Sequence, residues 1–176
     1  MAKTDHILQF WAKKRDNPEV HYPLLYHMLD VAAVTRELWN KGLHSGTKHY
    51  CAVQFNMLEE NVGKWLPFWA GLHDIGKASP DFQSKSKSAK IDLLAQGFNF
   101  PQGGNTIHHG IMTAYALPDQ LHKTSDHAKK QIAVAVGGHH GIFPRSLDMK
   151  DAKTRAGNKL WEQARNNLAK IGRAHV

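Results

Sequence analysis

The segment from Trp65 to Lys77, WLPFWAGLHDIGK, constrains the fold more than any other part of the chain. It begins as an apolar run and ends with an imidazole and a carboxylate side by side, His73 and Asp74. A helix carrying Trp65, Leu66, Phe68, Trp69 and Leu72 must be covered on most of its surface. The His–Asp pair is therefore delivered to the edge of a core, where unpaired polar groups are costly. Either a metal ion takes their lone pairs, or they are ordinary polar residues at a helix end. Gly71–Lys77 also fits G-x-x-x-x-G-K, most of a phosphate-binding loop. That loop needs Ser or Thr next, where this chain has Ala78, and a preceding strand, where this chain has a helical run. The phosphate-loop reading is set aside on both counts.

Elsewhere the periodicity is helical. Residues 1–23 are polar and basic, with Pro18 and Pro23 as breakers, and read as a short leading helix and a loop; Pro23 fits the first turn of the next helix. From Leu24 to Lys41 apolar residues recur at Leu24, Met28, Val31, Val34 or Thr35, and Leu38, with Gly42 as the stop. His27 falls on that buried stripe. Residues 42–50 read as a loop, 51–61 as a short helix and 62–76 as the strongly buried helix. Ser79 and Pro80 signal the cap and first turn of another short helix, followed by a solvated Ser/Lys tail. Residues 97–104 are a loop, and Asn105 or Thr106 can cap a helix running through His109, Met112, Ala114 and Tyr115 to Leu117. Residues 126–138 form a helix that delivers His139 and His140 to its end. Residues 141–157 read as a loop and 158–171 as a final amphipathic helix. With no alternating strand pattern and no internal repeat, the fold class is all-α.

A chain of 176 residues with 41% hydrophobic content is long enough for one domain with a real core. Its formal charge of +8 favours a polyanionic partner, nucleic acid first. The single cysteine, Cys51, excludes an intrachain disulfide and reads as a small buried or half-buried residue. No signal peptide or apolar run of membrane length is present, so a cytoplasmic protein with no membrane partner is expected.

Thirteen histidines are more than a chain of this length needs. His6, His44, His49, His122 and His127 sit among polar neighbours and read as surface residues. The informative ones lie in apolar segments: His27, His73 beside Asp74, His108 and His109, His139 and His140. A lone histidine on an apolar face is usually a satisfied core residue. Several from four separate helices, each at a buried stripe or helix end, would be costly to bury together without a cation. Imidazole and carboxylate donors suit manganese, iron, cobalt, nickel or zinc. A carboxylate can bridge two ions, and two ions about 3.5–4 Å apart can clamp a phosphate.

The order H … HD … H … HH resembles the HD superfamily of metal-dependent phosphohydrolases. The segments LLYHMLDVAAV, FWAGLHDIGKASPDFQ, HHGIMTAYAL and AVAVGGHHG together resemble the HD nuclease domain of the CRISPR type I nuclease-helicases, from about residue 6 to about residue 145. The resemblance implies an HD-domain helical bundle with a metal site at its centre. It implies a nuclease acting on single-stranded DNA in CRISPR interference. The implied partners are helicase domains, in the same or a separate chain, and the RNA-guided Cascade complex. It assigns His27, His73 and Asp74 to a first metal, with Asp74 bridging to a second that is completed by His109, His139 and His140. His109 is preferred to His108 because the family's ligand directly precedes a small residue, here Gly110. Asp74 and Lys77 take the catalytic roles, Lys77 facing the scissile phosphate; otherwise it is a solvated helix-end lysine. One or two ions of manganese, iron, cobalt or nickel are expected, with magnesium possible.

The family supplies a further aspartate from a helix downstream of the His139–His140 pair. WEQARNNLAKIGRAHV has none, and Asp148 and Asp151 come too early. The expectation is a single HD nuclease domain over residues 1–176, C-terminally truncated, without helicase domains and with an incomplete first metal site. Lys85, Lys87, Lys129 and Lys130 could track a nucleic-acid backbone or be solvated faces. Two alternatives stand beside the nuclease: an HD phosphohydrolase of small nucleotides, and a catalytically incomplete HD domain that serves as a docking module.

Overall fold

A computed structural model describes residues 7–14, 21–121 and 125–174. An antiparallel ribbon, β1 (Trp11–Lys14) and β2 (His21–Pro23), leads into α1 (Leu24–Glu37), which ends in a wider π turn over Leu38–Gly42. Then come α2 (Ser45–Phe55), α3 (Glu59–Gly71), a 3-10 segment over Leu72–Lys77, α4 (Pro80–Gln83) and α5 (Lys87–Ala95). After a loop follow α6 (His109–Ala116), a 3-10 turn over Leu117–Gln120, α7 (Asp126–Gly137), α8 (Ser146–Arg155) and α9 (Lys159–Ala174). The all-α bundle expected from the sequence is the observed architecture, with one small ribbon added.

The core forms where α1, α3, the 72–77 segment and α9 meet. Leu24, Phe68, Leu72, Ile75 and Leu168 are at most 2% exposed. Trp161 of α9 is fully buried, with Phe10, Phe98 and Phe100 around its ring and its indole N–H donated to the Asn99 carbonyl at 2.8 Å. This pins the loop before α6 to the last helix.

The ribbon replaces the leading helix expected over residues 1–23; the parts of that stretch at 1–6 and 15–20 lie outside the described residues, as do His6 and His122. Its cause is a long-range partner. Gln83 is fully buried, and its side-chain amide pairs with the backbone of Trp11 like a further strand. The Trp11 N–H donates to Gln83 Oε1 at 3.3 Å, and Gln83 Nε2 donates to the Trp11 carbonyl at 3.0 Å and to the Lys77 carbonyl at 2.9 Å. The register shifts between Trp11 and Lys13. The Ala12 carbonyl, in that irregular step, accepts from Lys77 Nζ at 3.2 Å.

Two stretches read as loops are helices. In α2, His44 is the cap, its ring nitrogen accepting from the Gly46 amide at 3.1 Å. At the start of α8, Asp148 accepts from the Arg145 amide at 2.7 Å and from its guanidinium, which also removes Asp148 from consideration as a ligand. The Ser/Lys stretch is helical too, capped by Ser86. The stripe on α1 holds for Leu24, His27 and Met28 but fades, with Val34 59% and Leu38 55% exposed. Trp65 is 37% exposed rather than buried.

Gln83→Leu keeps the bulk and removes the side-chain amide that bonds the Trp11 N–H and carbonyl and the Lys77 carbonyl. The variant is expected to lose about 1–3 kcal/mol of stability, the cost of losing buried hydrogen bonds. A urea melt unchanged from the wild type would show that the ribbon does not depend on this amide.

Candidate metal centre

Asp74 is the hub of the site. It lies in the 72–77 segment, 3% exposed, with basic nitrogens around both carboxylate oxygens. His27 Nε2 of α1 is 2.9 Å from Oδ2, His73 Nε2 is 3.2 Å from it, and Lys77 Nζ is 2.7 Å from it. On the other side, His109 Nε2 of α6 is 3.1 Å from Oδ1 and His139 Nε2, beyond the end of α7, is 3.4 Å from it. His140 Nε2 is 3.0 Å from His109 Nε2. All six residues expected to bind metal thus meet, in two groups sharing Asp74: His27, His73 and Asp74, and Asp74, His109, His139 and His140.

The tautomers show why this cluster suits a cation. His73 Nδ1 is 2.8 Å from the Ala70 carbonyl, and His139 Nδ1 is 2.8 Å from the Val136 carbonyl. A carbonyl only accepts, so Nδ1 carries the proton in each ring and the neutral ring turns a bare Nε2 towards Asp74. Two lone pairs facing a carboxylate repel it unless a proton or a metal lies between. His109 and His140 hold their Nε2 atoms at hydrogen-bond distance, 3.0 Å, so in the absence of an ion one ring donates to the other. Asp74 Oδ1 is buried without a hydrogen-bond partner, although His109 Nε2 lies 3.1 Å from it. Carbonyl-anchored imidazoles with free Nε2 atoms, around an orphaned carboxylate oxygen, are the donor set of a divalent-metal site. The residues present fit such an ion.

The electrostatics agree. Burial pushes the Asp74 carboxyl up, but His109, His139, His27 and His73 outweigh it and hold it well below the usual carboxylate range. Burial lowers His109 more than Asp74 raises it. For His139 the balance reverses: burial lowers it, but Asp74 and the Val136 carbonyl carry it upward. His140 is lowered by burial and by the neighbouring His139.

Lys77 is 8% exposed, so it is not a solvated helix-end lysine. Its ammonium sits between Asp74, the Ala12 carbonyl and the face of the Phe82 ring, 5.2 Å from the centroid. His108 belongs to neither ligand group. It is exposed and caps α6, its Nδ1 accepting from the Gly110 amide at 3.2 Å. Burial, then His109, His140 and Lys85, push its pKa down to about 4.

Three features that build the site were missed in the sequence. Thr113 of α6 is fully buried; its hydroxyl donates to the His73 carbonyl at 2.9 Å and accepts from the Gly76 amide at 3.0 Å. This clamps the turn that carries His73 and Asp74. Gly76 permits the approach: a Cβ there would lie 2.1 Å from the His109 carbonyl oxygen. Asp81 and Arg155 form a bidentate, largely buried ion pair. Asp81 also accepts from the Ile107 amide at 2.8 Å, fixing the loop two residues before His109. Only the glycine leaves a sequence trace, as part of HDIGK. On α9, Arg165 rather than an acidic residue faces the end of the 72–77 segment, donating to the Ala78 carbonyl at 3.0 Å.

Comparison with known proteins gives one family. The family model described as Cas3, HD domain, matches residues 11–176. The chain is 33% identical over 173 residues to the CRISPR-associated endonuclease/helicase Cas3 of Thermus thermophilus, covering 96% of this chain and 18% of that protein. Among solved structures it resembles the Thermus thermophilus cas3 HD domain in the presence of Ni2+, at 30% identity and a TM-score of 0.69, over 94% of this chain and 63% of that one. It also resembles a chain of a CRISPR RNA-guided surveillance complex in a pre-nicking state, at 31% identity and a TM-score of 0.77, over 94% of this chain and 20% of that one. The chain spans about a fifth of the length of the curated relatives it matches.

Two outcomes are expected. Free manganese at a hundred times its dissociation constant should raise Tm by roughly 5–10 °C over metal-stripped protein, since a ligand of the folded state alone then adds about 2.7 kcal/mol. Scanning calorimetry with no shift for any divalent ion would argue against a metal centre. Thr113→Val should weaken metal binding roughly 10–100-fold, as loss of an outer-shell partner does. Thr113→Ser should restore it. Equal affinities by titration calorimetry would remove the hydroxyl from the site's construction.

Proposed function

The chain belongs to the Cas3 HD-domain family, and from that premise we propose that it is a metal-dependent nuclease that hydrolyses phosphodiester bonds of single-stranded DNA in CRISPR interference. The observation that carries the reading is the pair of ligand groups sharing one buried carboxylate. His27, His73 and Asp74 would hold one ion; Asp74, His109, His139 and His140 would hold the other. Bound divalent ions supply Lewis acidity at phosphoryl oxygens and make water a stronger nucleophile. Manganese, iron, cobalt, nickel and magnesium are the candidates, and the relative solved with Ni2+ supports a transition metal.

The chain's own residues do the rest. The Ala70 and Val136 carbonyls hold the rings of His73 and His139 with Nε2 towards Asp74. Asp74 offers one oxygen to each group, which sets their separation. Lys77 places a fixed positive charge beside Asp74, able to offset negative charge that develops on a phosphoryl group. The second group opens to solvent through His140, whereas His27 and Asp74 are buried. A strand passing over an open rim fits that shape better than a small nucleotide that needs enclosure. Helicase domains and an RNA-guided surveillance complex are the proposed partners, supported by the nuclease-helicase and complex relatives.

One observation favours a second reading. Among the described residues the first group has three ligand candidates, against four in the second. A domain that fills the second position alone would keep the metal as a structural element and dock a partner without cutting.

The test is cleavage of circular single-stranded DNA by metal-stripped protein, with each candidate ion added back separately and Asp74→Ala as control. Metal-dependent cutting lost in the variant is the expected result, and circular substrate shows that no free end is needed. Metal binding at one equivalent with no cutting under any ion would select the docking reading.

A further inference from the structure

The imidazoles of His73 and His139 turn a bare nitrogen towards Asp74, because their Nδ1 protons are donated to carbonyls. His108 is locked the opposite way. Its Nδ1 accepts the Gly110 amide at 3.2 Å, at the cap of α6. A nitrogen that accepts cannot carry the ring proton, so the neutral ring bears it on Nε2. Among the described residues that N–H has no hydrogen-bond partner, and the residue is exposed. Its ring stands 4.2 Å from that of His109 and edge-on to that of His140 at 5.2 Å. His108 thus sets a fixed donor on the rim of the second ligand group. The same rim carries positive charge: Lys85 Nζ lies 4.9 Å from the centroid of Phe82, whose ring is 5.6 Å from that of His109.

We propose that His108 is a substrate-binding residue that donates its Nε2–H to a non-bridging oxygen of the phosphodiester held against His109, His139 and His140. A diester linkage suits this donor, since its two non-bridging oxygens accept and carry negative charge. The ligand class rests on the nuclease reading. The role of His108 rests on its capping bond and its place beside the two rings. Holding the tautomer through a backbone amide costs no proton transfer when the diester arrives, so the donor is preorganised. His108 is not a metal ligand in this arrangement: the nitrogen that could reach the rim is the protonated one.

The variants separate the two jobs of the ring. His108→Asn keeps a capping acceptor but is too short to present an N–H where Nε2 lies; His108→Ala loses both cap and donor. The zinc-loaded protein, labelled with 15N-histidine, is titrated with dimethyl phosphate, and DNA cleavage is measured separately with manganese. The expected result is an Nε2–H signal for His108 that moves as dimethyl phosphate is added. His108→Asn should keep the full metal stoichiometry and the wild-type Tm, lose the diester-dependent shift, and cut single-stranded DNA roughly 10–100-fold more slowly, the cost of one hydrogen bond to a charged group. An Nδ1–H tautomer, wild-type cleavage by His108→Asn, or the loss of one metal equivalent in that variant would each overturn the proposal. If the wild type cuts no DNA with any ion while the His108 signal still follows dimethyl phosphate, the nuclease reading falls and the phosphodiester contact stands.

Discussion

One buried carboxylate organises this domain. Five side-chain nitrogens, from His27, His73, Lys77, His109 and His139, lie within 3.4 Å of the Asp74 oxygens. A lone carboxylate in an apolar core would be expelled or protonated. Here it is held by residues drawn from α1, the 72–77 segment, α6 and the end of α7. Each of these elements must arrive at the same point for Asp74 to be tolerated. The bundle is therefore organised around the carboxylate as much as around its apolar core. Lys77 contributes an ammonium at Oδ2, whereas the imidazoles of His73 and His139 contribute lone pairs that need a cation between them and the anion.

Close packing sets the distances. Gly76 lets α6 lie directly against the 72–77 segment, and Thr113 ties the two through a carbonyl and an amide. Gly110 and Gly137 do the same between α6 and α7: a Cβ on Gly110 would stand 2.4 Å from the Gly137 carbonyl oxygen. With side chains absent there, the two backbones approach until His109 and His140 are 3.0 Å apart. A methyl group at either position would separate the helices by far more than the few tenths of an ångström a metal site tolerates. The ligand cluster is thus a product of small residues that contribute no chemistry themselves.

The chemistry was more legible in the sequence than the scaffold. His27, His73, Asp74, His109, His139 and His140 were visible because polar residues with metal-binding donors stood in apolar segments, and few explanations fit several at once. The helices with strong apolar periodicity, α1, α3 and α7, were read within a few residues. The failures have two physical causes, distant partners and uncommon local caps. The ribbon exists because Gln83, far along the chain, completes the hydrogen bonding of Trp11. The helices α2 and α8 have polar, weakly periodic sequences and are stabilised by caps, His44 in one and the Arg145–Asp148 pair in the other. Histidine is an unusual cap, and arginine offers no capping acceptor, so neither start was signalled. Thr113 and the Asp81–Arg155 pair act across long sequence separations. Local pattern carries no record of such partners.

The shared carboxylate also couples the two ligand groups. On the proposed function, His109, His139 and His140 would hold an ion together with Asp74, whose Oδ1 is buried without a hydrogen bond. Holding Asp74 there would also restrain the carboxylate for the other group. The converse holds by linkage, because a coupling between two binding events acts equally in both directions. Lys77 works against this gain at Oδ2, since its ammonium lies 2.7 Å away and repels a second cation. The two groups are therefore unequal by construction. The group with four candidate donors should fill first, and the three-donor group, on the Oδ2 side where Lys77 lies, should fill only when something else, such as a bound phosphoryl oxygen, adds negative charge. On that balance, under the proposed function, a second ion and a phosphodiester would each favour the binding of the other.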